Sequence, residues 1–279
     1  ADRFRLGRSL RGRYEMAFVL PNTIKSALVP FFAGIPERIG YVGESRYGLL
    51  NRLHRLDAMA MPLMVDRYLQ LAEPAGTPVT RPVSEVSLRI DAANRDAKLA
   101  ELGLATDRRV IAFCPGAEYG PAKRWPAEHF AQTANLLIAS GKRVWIFGSA
   151  AERAIGDAII ANVEPDFASN CFNLCGRTDL ASAIDLLSVT DAVLTNDSGL
   201  MHVAAALRRP LVALYGSTSP THTPPLSRNS GDVQNARILT LDLECSPCFA
   251  RECPLGHFRC MKDLTPRDVT NALLALSPS

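Results

Sequence analysis

In the run Val193-Leu194-Thr195-Asn196-Asp197-Ser198-Gly199-Leu200-Met201-His202-Val203-Ala204-Ala205-Ala206, a β-branched apolar segment gives way at once to polar residues and then to a helical pattern. The pattern predicts a strand that feeds directly into a helix N-terminus. The first N–H groups of a helix have no intrahelical partner, and the macrodipole adds about half a positive charge, so such a junction accommodates an anion, typically phosphate. Ser198 can cap the helix or donate to a ligand, Gly199 lets a ligand approach the backbone, and His202 stands one turn on from Ser198. The same residues also read as an ordinary N-cap at Asp197 and Ser198 beside a structural His202. A Ser-His-Asp triad is disfavoured, because Asp197 adjoins Ser198 and would reach His202 from the wrong side.

From Arg108 onward, strand-like runs alternate with helical patterns. The expected strands are Val110–Cys114, Arg143–Phe147, Phe172–Leu174, Ala192–Thr195 and Leu211–Tyr215, and the expected helices are Ala127–Ser140, Ala150–Asn162, Leu180–Ser188 and one after Ser198. This alternation predicts α/β architecture on a parallel sheet, with ligands beyond the carboxyl ends of the strands. Upstream the signal is thinner: strands at Met16–Leu20 and Ile39–Val42, and helices at Thr23–Phe32 and Pro62–Ala72. Two strands make a poor independent sheet. The segment Glu73–Pro82 carries Pro74, Pro78, Pro82 and Gly76 and reads as a linker. The expected organisation is a first domain over 1–73, a linker over 74–84 and a second domain over 85–279.

At 279 residues, with 47% hydrophobic and 21% charged side chains, the chain can form one large domain or two small ones. No apolar run approaches the ~18 residues of a membrane span. A net charge of +3, without an aromatic-interleaved basic stripe, points away from nucleic acid. The opening Ala1–Arg13 lacks the apolar core of a secretory signal, which predicts a cytoplasmic protein with reduced thiols. Its five arginines, at positions 3, 5, 8, 11 and 13, form either a solvated helix face or a contact for an anionic membrane surface. The chain does not begin with Met, and the expectation is that an upstream segment is missing.

Two further loops fall at strand ends. Pro115-Gly116-Ala117-Glu118-Tyr119-Gly120-Pro121-Ala122-Lys123-Arg124-Trp125-Pro126 leads from a strand into a helix and bears one of only five lysines among 31 basic residues. Lys123 can neutralise a diphosphate as its bond to a sugar breaks, or can belong to a solvated basic pair with Arg124. No Gly-Lys-Ser/Thr follows, so this is not a Walker loop. In Phe147-Gly148-Ser149-Ala150-Ala151-Glu152, the carboxylate can accept from a ribose or base, or simply favour a helix N-terminus.

Four of the seven cysteines, Cys245, Cys248, Cys253 and Cys260, fall within 16 residues of a Pro- and Gly-bearing loop. Four thiolates at this spacing can close a structural zinc site with His257 as a spare ligand, although the spacing is not that of a standard zinc ribbon. Reduced thiols in a packed loop are the competing reading. Cys171 and Cys175 share one face of a short strand and read as core.

The Pro115–Pro126 loop, the Ile146–Ser149 strand end, Thr195–Leu207 and Pro210–Pro220 resemble the ADP-heptose:lipopolysaccharide heptosyltransferase II family of glycosyltransferase family 9. The likeness runs from about Tyr14 to the C-terminus and includes Leu20–Pro36 and Arg46–Asn51. It implies a GT-B-like fold, two Rossmann-like domains facing a cleft, with acceptor bound in the first and nucleotide-sugar in the second. It implies inverting, metal-independent transfer of heptose from ADP-heptose to a lipid-anchored core oligosaccharide, with peripheral contact at the inner face of the bacterial inner membrane. No catalytic cofactor is expected.

Carried over by position, Lys123 is the expected catalytic side chain, contacting donor phosphate or heptose. Glu152 is expected at the ribose, and Asp197, Ser198, Gly199, Leu200 and His202 at the diphosphate and sugar. Gly116, Glu118 and Gly148 complete the expected donor site, while Asn22 and Lys25 are expected at the acceptor. The family opens with a glycine-rich strand-to-helix turn carrying an aspartate base, and this sequence starts after that point. The resemblance therefore implies an incomplete first domain and a chain inactive by itself. Alternatives are a transferase or epimerase for another nucleotide-sugar, or a donor-binding remnant.

Overall fold

The computed structural model describes residues 2–81, 86–226 and 235–276. Internal contacts divide the chain into two compact units, Ala1–Ser84 with Thr221–Thr223, and Glu85–Pro220 with Pro224–Ser279. Residue 1 of the expected first domain, residues 82–84 of the expected linker, and residues 85, 227–234 and 277–279 of the expected second domain lie outside the described residues.

The first unit runs α1 (Asp2–Ser9), β1 (Met16–Val19), α2 (Ile24–Phe32), β2 (Glu37–Tyr41), β3 (Arg52–His54) and α3 (Met64–Gln70). Its three strands are parallel in the order β1-β2-β3, with Met16 opposite Glu37 and Ile39 opposite Arg52. The sheet thus has one strand more than the sequence pattern suggests. Strand β3 escapes that pattern because Arg-Leu-His carries a single apolar side chain. The basic opening segment is a helix with one face packed on α2, since a Cβ on Gly7 would meet Phe32 Cβ at 2.6 Å. Its arginines also have local partners: Arg5 pairs with Asp2, Arg8 lies over the Phe4 ring, and Arg11 Nε donates to the Phe32 carbonyl.

The second unit runs α4 (Ala92–Leu102), β4 (Val110–Cys114), α5 (Ala127–Ala139), β5 (Arg143–Ile146), α6 (Arg153–Ala161), β6 (Cys171–Asn173), α7 (Leu180–Leu187), β7 (Ala192–Asn196), α8 (Gly199–Ala206), β8 (Leu211–Leu214), β9 (Ala236–Leu239), α9 (Arg259–Lys262) and α10 (Pro266–Leu276). Its six parallel strands stand in the order β6-β5-β4-β7-β8-β9. Burial on both faces explains why these strands read as continuous apolar runs rather than alternating ones, and every residue of β4, β7 and β8 is buried. Alternate residues feed two cores. Ile111 and Phe113 pack with Trp125 and Phe130 on one face, and Val110, Ala112 and Cys114 pack with Trp145 and Phe147 on the other. Cys171 and Cys175 belong to the first of these cores, as their spacing suggests.

This is the doubly wound strand order, in which the chain leaves the centre first to one side and then to the other. The reversal falls between β4 and β7, where Cys114 stands opposite Thr195. Connections diverge there and leave a crevice beyond the carboxyl ends of the strands. Among the described residues, no helix is long and apolar enough to cross a membrane.

Candidate functional site

A cavity of about 870 Å³ occupies that crevice, entirely within the second unit. Gly116 and Glu118 reach it from the loop after β4, Gly148 and Glu152 from the loop after β5, and Ser198, Gly199 and Leu200 from the start of α8. These seven are among the residues singled out from the sequence. Lys123, Asp197 and His202, singled out with them, do not line the cavity wall.

Two glycines make room for one carboxylate. A Cβ on Gly116 would sit 1.7 Å from Glu152 Oε1, and a Cβ on Gly148 would meet Glu152 Oε2 at 3.1 Å. Glu152 also closes a capping box, accepting at Oε2 from the Ser149 backbone N–H at 2.7 Å and the Ser149 hydroxyl at 2.9 Å. The helix-start reading of this residue holds, because Oε2 caps a short helical turn, while Oε1 lies towards Gly116 at the cavity wall.

The expected helix over 150–162 is a 3-10 turn, Ala150–Glu152, followed by α6. Ser198 occupies the N-cap of α8, but its side chain does not cap the helix; its hydroxyl lies 3.3 Å from Thr195 Oγ1. The Met201 N–H donates to the Ser198 carbonyl at 3.2 Å, and the Gly199 and Leu200 N–H groups are not capped by the Ser198 side chain.

Lys123 ends the 3-10 turn Pro121–Lys123, and its Nζ lies 2.5 Å from Asp197 Oδ2. The Thr218 hydroxyl donates to the same oxygen at 2.7 Å. This pair joins the loop after β4 to the end of β7 at the switch point. Asn196 braces the arrangement, donating through Nδ2 to the Pro115 carbonyl at 2.7 Å and accepting at Oδ1 from the Trp125 backbone N–H. Protein atoms crowded around His202 hold its pKa below the usual value; Lys123 adds to this and Asp197 opposes it.

The loop bearing Lys123 rests on the cysteine loop. Tyr119 lies between two cations, with Lys123 Nζ 4.9 Å and Arg251 Cζ 5.2 Å from its ring centre. Its hydroxyl donates to the Phe249 carbonyl at 2.6 Å, and the Ala122 N–H donates to the Arg251 carbonyl at 3.0 Å. Gly120 has no room for a side chain, because a Cβ there would meet the Arg251 carbonyl oxygen at 2.4 Å.

Cys245, Cys248, Cys253 and Cys260 line one small cavity of about 20 Å³ together with His257. All four are free thiols. Burial raises the Cys260 pKa and the three neighbouring thiols raise it further, whereas backbone N–H groups, led by that of Phe258, lower the Cys253 pKa. Among the described residues, no three His, Cys, Asp or Glu side chains stand in a coordinating arrangement.

In the first unit, Asn22 and Lys25 are exposed at the start of α2. Asn22 Oδ1 accepts from Arg46 at 3.2 Å. Sequence reasoning missed Thr178, Asp179 and Leu180, which bring the N-terminus of α7 to the cavity after β6. An available signal was Asp179 itself, whose carboxylate caps α7 by accepting from the Ser182 N–H at 2.8 Å. Arg124, read from the sequence only as half of a basic pair, also lines the cavity and donates to the Ala117 carbonyl.

The family model for glycosyltransferase family 9 (heptosyltransferase) matches residues 3–259. The chain is 46% identical to lipopolysaccharide heptosyltransferase 2 of Escherichia coli over 281 residues, which cover 99% of this chain and 79% of that one. It is 48% identical to lipooligosaccharide heptosyltransferase 2 of Haemophilus influenzae, over 81% of this chain and 67% of that one. The solved structure of E. coli ADP-heptose lps heptosyltransferase II superposes with a TM-score of 0.87 at 45% identity, covering 99% of this chain and 80% of that chain. With 46% identity across nearly its whole length and a family match over most of it, the chain belongs to glycosyltransferase family 9, the heptosyltransferases.

Proposed function

We propose that this chain transfers heptose from ADP-heptose to the inner core of lipopolysaccharide. The observation that carries the reading is the juxtaposition of Lys123 and Asp197 with the start of α8, across the switch point of a doubly wound sheet. That is where a nucleotide diphosphate is expected, at a helix start with one cation held nearby by Asp197. Glu152 would accept from the ribose hydroxyls, with Gly116 and Gly148 leaving space beside it. Glu118, Ser198, Gly199, Leu200 and His202 would complete the donor contacts.

In this reading the acceptor hydroxyl attacks the anomeric carbon as its proton passes to a general base. The bond from that carbon to the diphosphate oxygen breaks with inversion, and negative charge builds on the departing ADP. Lys123 and the N–H groups of α8 stabilise that charge, which makes the displacement metal-independent. Asn22 and Lys25 are assigned to the acceptor. The protein would work in the cytoplasm, in peripheral contact with the inner membrane that carries the acceptor. The four-cysteine loop enters as a structural zinc site, outside the reacting centre.

The test is transfer from radiolabelled ADP-heptose to heptose-deficient lipopolysaccharide, together with calorimetric titration of ADP, UDP and GDP. Preference for ADP is expected, and labelled product would show that the chain supplies its own base, against the inactivity that the resemblance implies. Preference for UDP or GDP would reassign the donor, and absence of ADP binding would refute the site.

A further inference from the structure

The transfer reading does not account for the way the cysteine loop is fastened. Ser246 Oγ donates to the Gly216 carbonyl at 2.6 Å and the Phe249 N–H donates to the Ser217 carbonyl at 2.7 Å, which hooks the loop onto the chain just beyond β8. Cys260 closes the other side, since a Cβ on Gly216 would meet its Sγ at 3.1 Å. Between Cys248 and Cys253 lie four residues, and the carbonyls of two of them, Phe249 and Arg251, hold Tyr119 and Ala122. The cysteines thus bracket the platform on which Lys123 stands.

That platform is conformationally expensive. Phe249 and Phe258 both have φ of 54°, a left-handed conformation that non-glycine residues rarely hold without support. The cavity between the thiols has room for about one small atom. Ser217 also lines it; this residue is 1% exposed, and its buried hydroxyl has no hydrogen-bond partner. His257 is the poorer candidate ligand through Nδ1, because that nitrogen already accepts from the Arg259 N–H at 3.0 Å. Cys253 Sγ accepts from the Phe258 N–H at 3.4 Å, a donor suited to a thiolate.

We infer that Cys245, Cys248, Cys253 and Cys260 converge as thiolates on one thiophilic metal ion, and that this ion fixes the Phe249–Arg251 platform that positions Lys123. Each ligating thiol releases its proton to solvent, and no oxidation or reduction is involved. The thiols line the cavity without yet standing in a coordinating arrangement, so binding draws their side chains inward. Lys123 as a donor contact rests on the transfer reading, whereas the metal and the platform do not.

Elemental analysis of the full chain, purified without added metal, should find about one zinc or iron per chain. Cobalt added to stripped protein should give thiolate-to-cobalt charge-transfer absorption, weakened in Cys253→Ser and Cys260→Ser and retained in Cys171→Ser. Stripping the metal should speed amide hydrogen exchange at Tyr119, Gly120, Ala122 and Lys123. If stripping leaves the loop competent about one-tenth of the time, ADP affinity should fall about tenfold.

Folded protein that takes up neither zinc nor cobalt would overturn the metal site. Metal binding without any change in exchange at 119–123 would overturn the coupling. Metal-loaded protein that shows the exchange effect but does not bind ADP would refute the donor reading while supporting this inference.

Discussion

Lys123 Nζ and Asp197 Oδ2 lie 2.5 Å apart across the switch point of the second sheet, with both side chains largely withdrawn from solvent. The Thr218 hydroxyl holds the same carboxylate oxygen. The cation assigned to the donor diphosphate is therefore held by an internal counter-charge. A diphosphate that takes this ammonium must compete with Asp197, so the lysine reaches the donor already oriented rather than from bulk solvent.

Lys123→Ala should weaken ADP binding by ~1.5–3 kcal/mol, the usual loss for a charge-assisted hydrogen bond. The same change leaves Asp197 buried without its cation, so thermal stability should fall as well. Lys123→Ala combined with Asp197→Asn should recover much of the stability and none of the transfer activity. Calorimetric titration with ADP and thermal unfolding of the two variants beside the parent chain separate the two effects. Unchanged affinity in Lys123→Ala would remove this lysine from the donor site.

Gly116→Ala should act through Glu152. The new Cβ would sit 1.7 Å from Oε1, and the carboxylate must swing away or the loop must move. If it swings, the capping box with Ser149 is lost as well, at ~0.5–2 kcal/mol of local stability. The expected outcome is a folded protein with reduced affinity for ADP and a smaller loss for pyrophosphate alone, since Glu152 is assigned to the ribose. Equal losses for both ligands would argue that the loop, rather than the carboxylate, had moved.

Two histidines, His54 and His129, give stability a pH dependence of known sign. Burial is the main cause holding His54 and His129 below the ordinary value of 6.5. As pH falls below 6.5 the unfolded chain takes up these protons first, so stability is lost from 6.5 downward until the folded-state values are passed. Each unit of depression is worth ~1.4 kcal/mol. Denaturant midpoints should therefore fall between about pH 7.5 and 5.5, and His54→Gln should flatten the decline. A pH-independent midpoint over that range would contradict the burial of these rings.

Much of the second unit was legible because its strands are buried on both faces: Val110–Cys114 reads directly as an apolar run and is found within those bounds. Helix α4 escaped because Ala92–Leu102 carries only Leu99 and Leu102 as large apolar side chains, although Asp91 caps its start and Gly103, with φ of 65°, ends it. Strand β9 and helix α10 were also missed, where the βα alternation breaks down after Tyr215. Local signals placed Gly116, Glu152 and Ser198 at strand ends, and the fold brought them to one cavity. The Lys123–Asp197 pair was not legible, because 74 positions separate its members and only the β4·β7 pairing brings them together. Nor could cysteine spacing reveal that the Phe249 and Arg251 carbonyls support Tyr119 and Ala122.

Arg46 offers a test in the first unit. It is 1% exposed and donates to the Pro21 carbonyl at 2.7 Å, the Tyr41 carbonyl at 2.5 Å and Asn22 Oδ1 at 3.2 Å. A single guanidinium thereby ties the end of β2 to the loop from which α2 starts; of the assigned acceptor residues, Asn22 lies in that loop and Lys25 in the first turn of α2. Arg46→Met fills part of the volume but leaves these acceptors without their donor, at ~1–3 kcal/mol for each that stays buried. Lys is a poor replacement because one ammonium cannot reproduce the spread of a planar five-donor fork. Arg46→Met and Arg46→Lys should both lower the melting temperature and speed amide exchange over residues 22–26. ADP binding, assigned wholly to the second unit, should be unchanged, and the KM for acceptor should rise in whichever variant still folds. An unaltered acceptor KM together with accelerated exchange at 22–26 would move the acceptor away from Asn22 and Lys25.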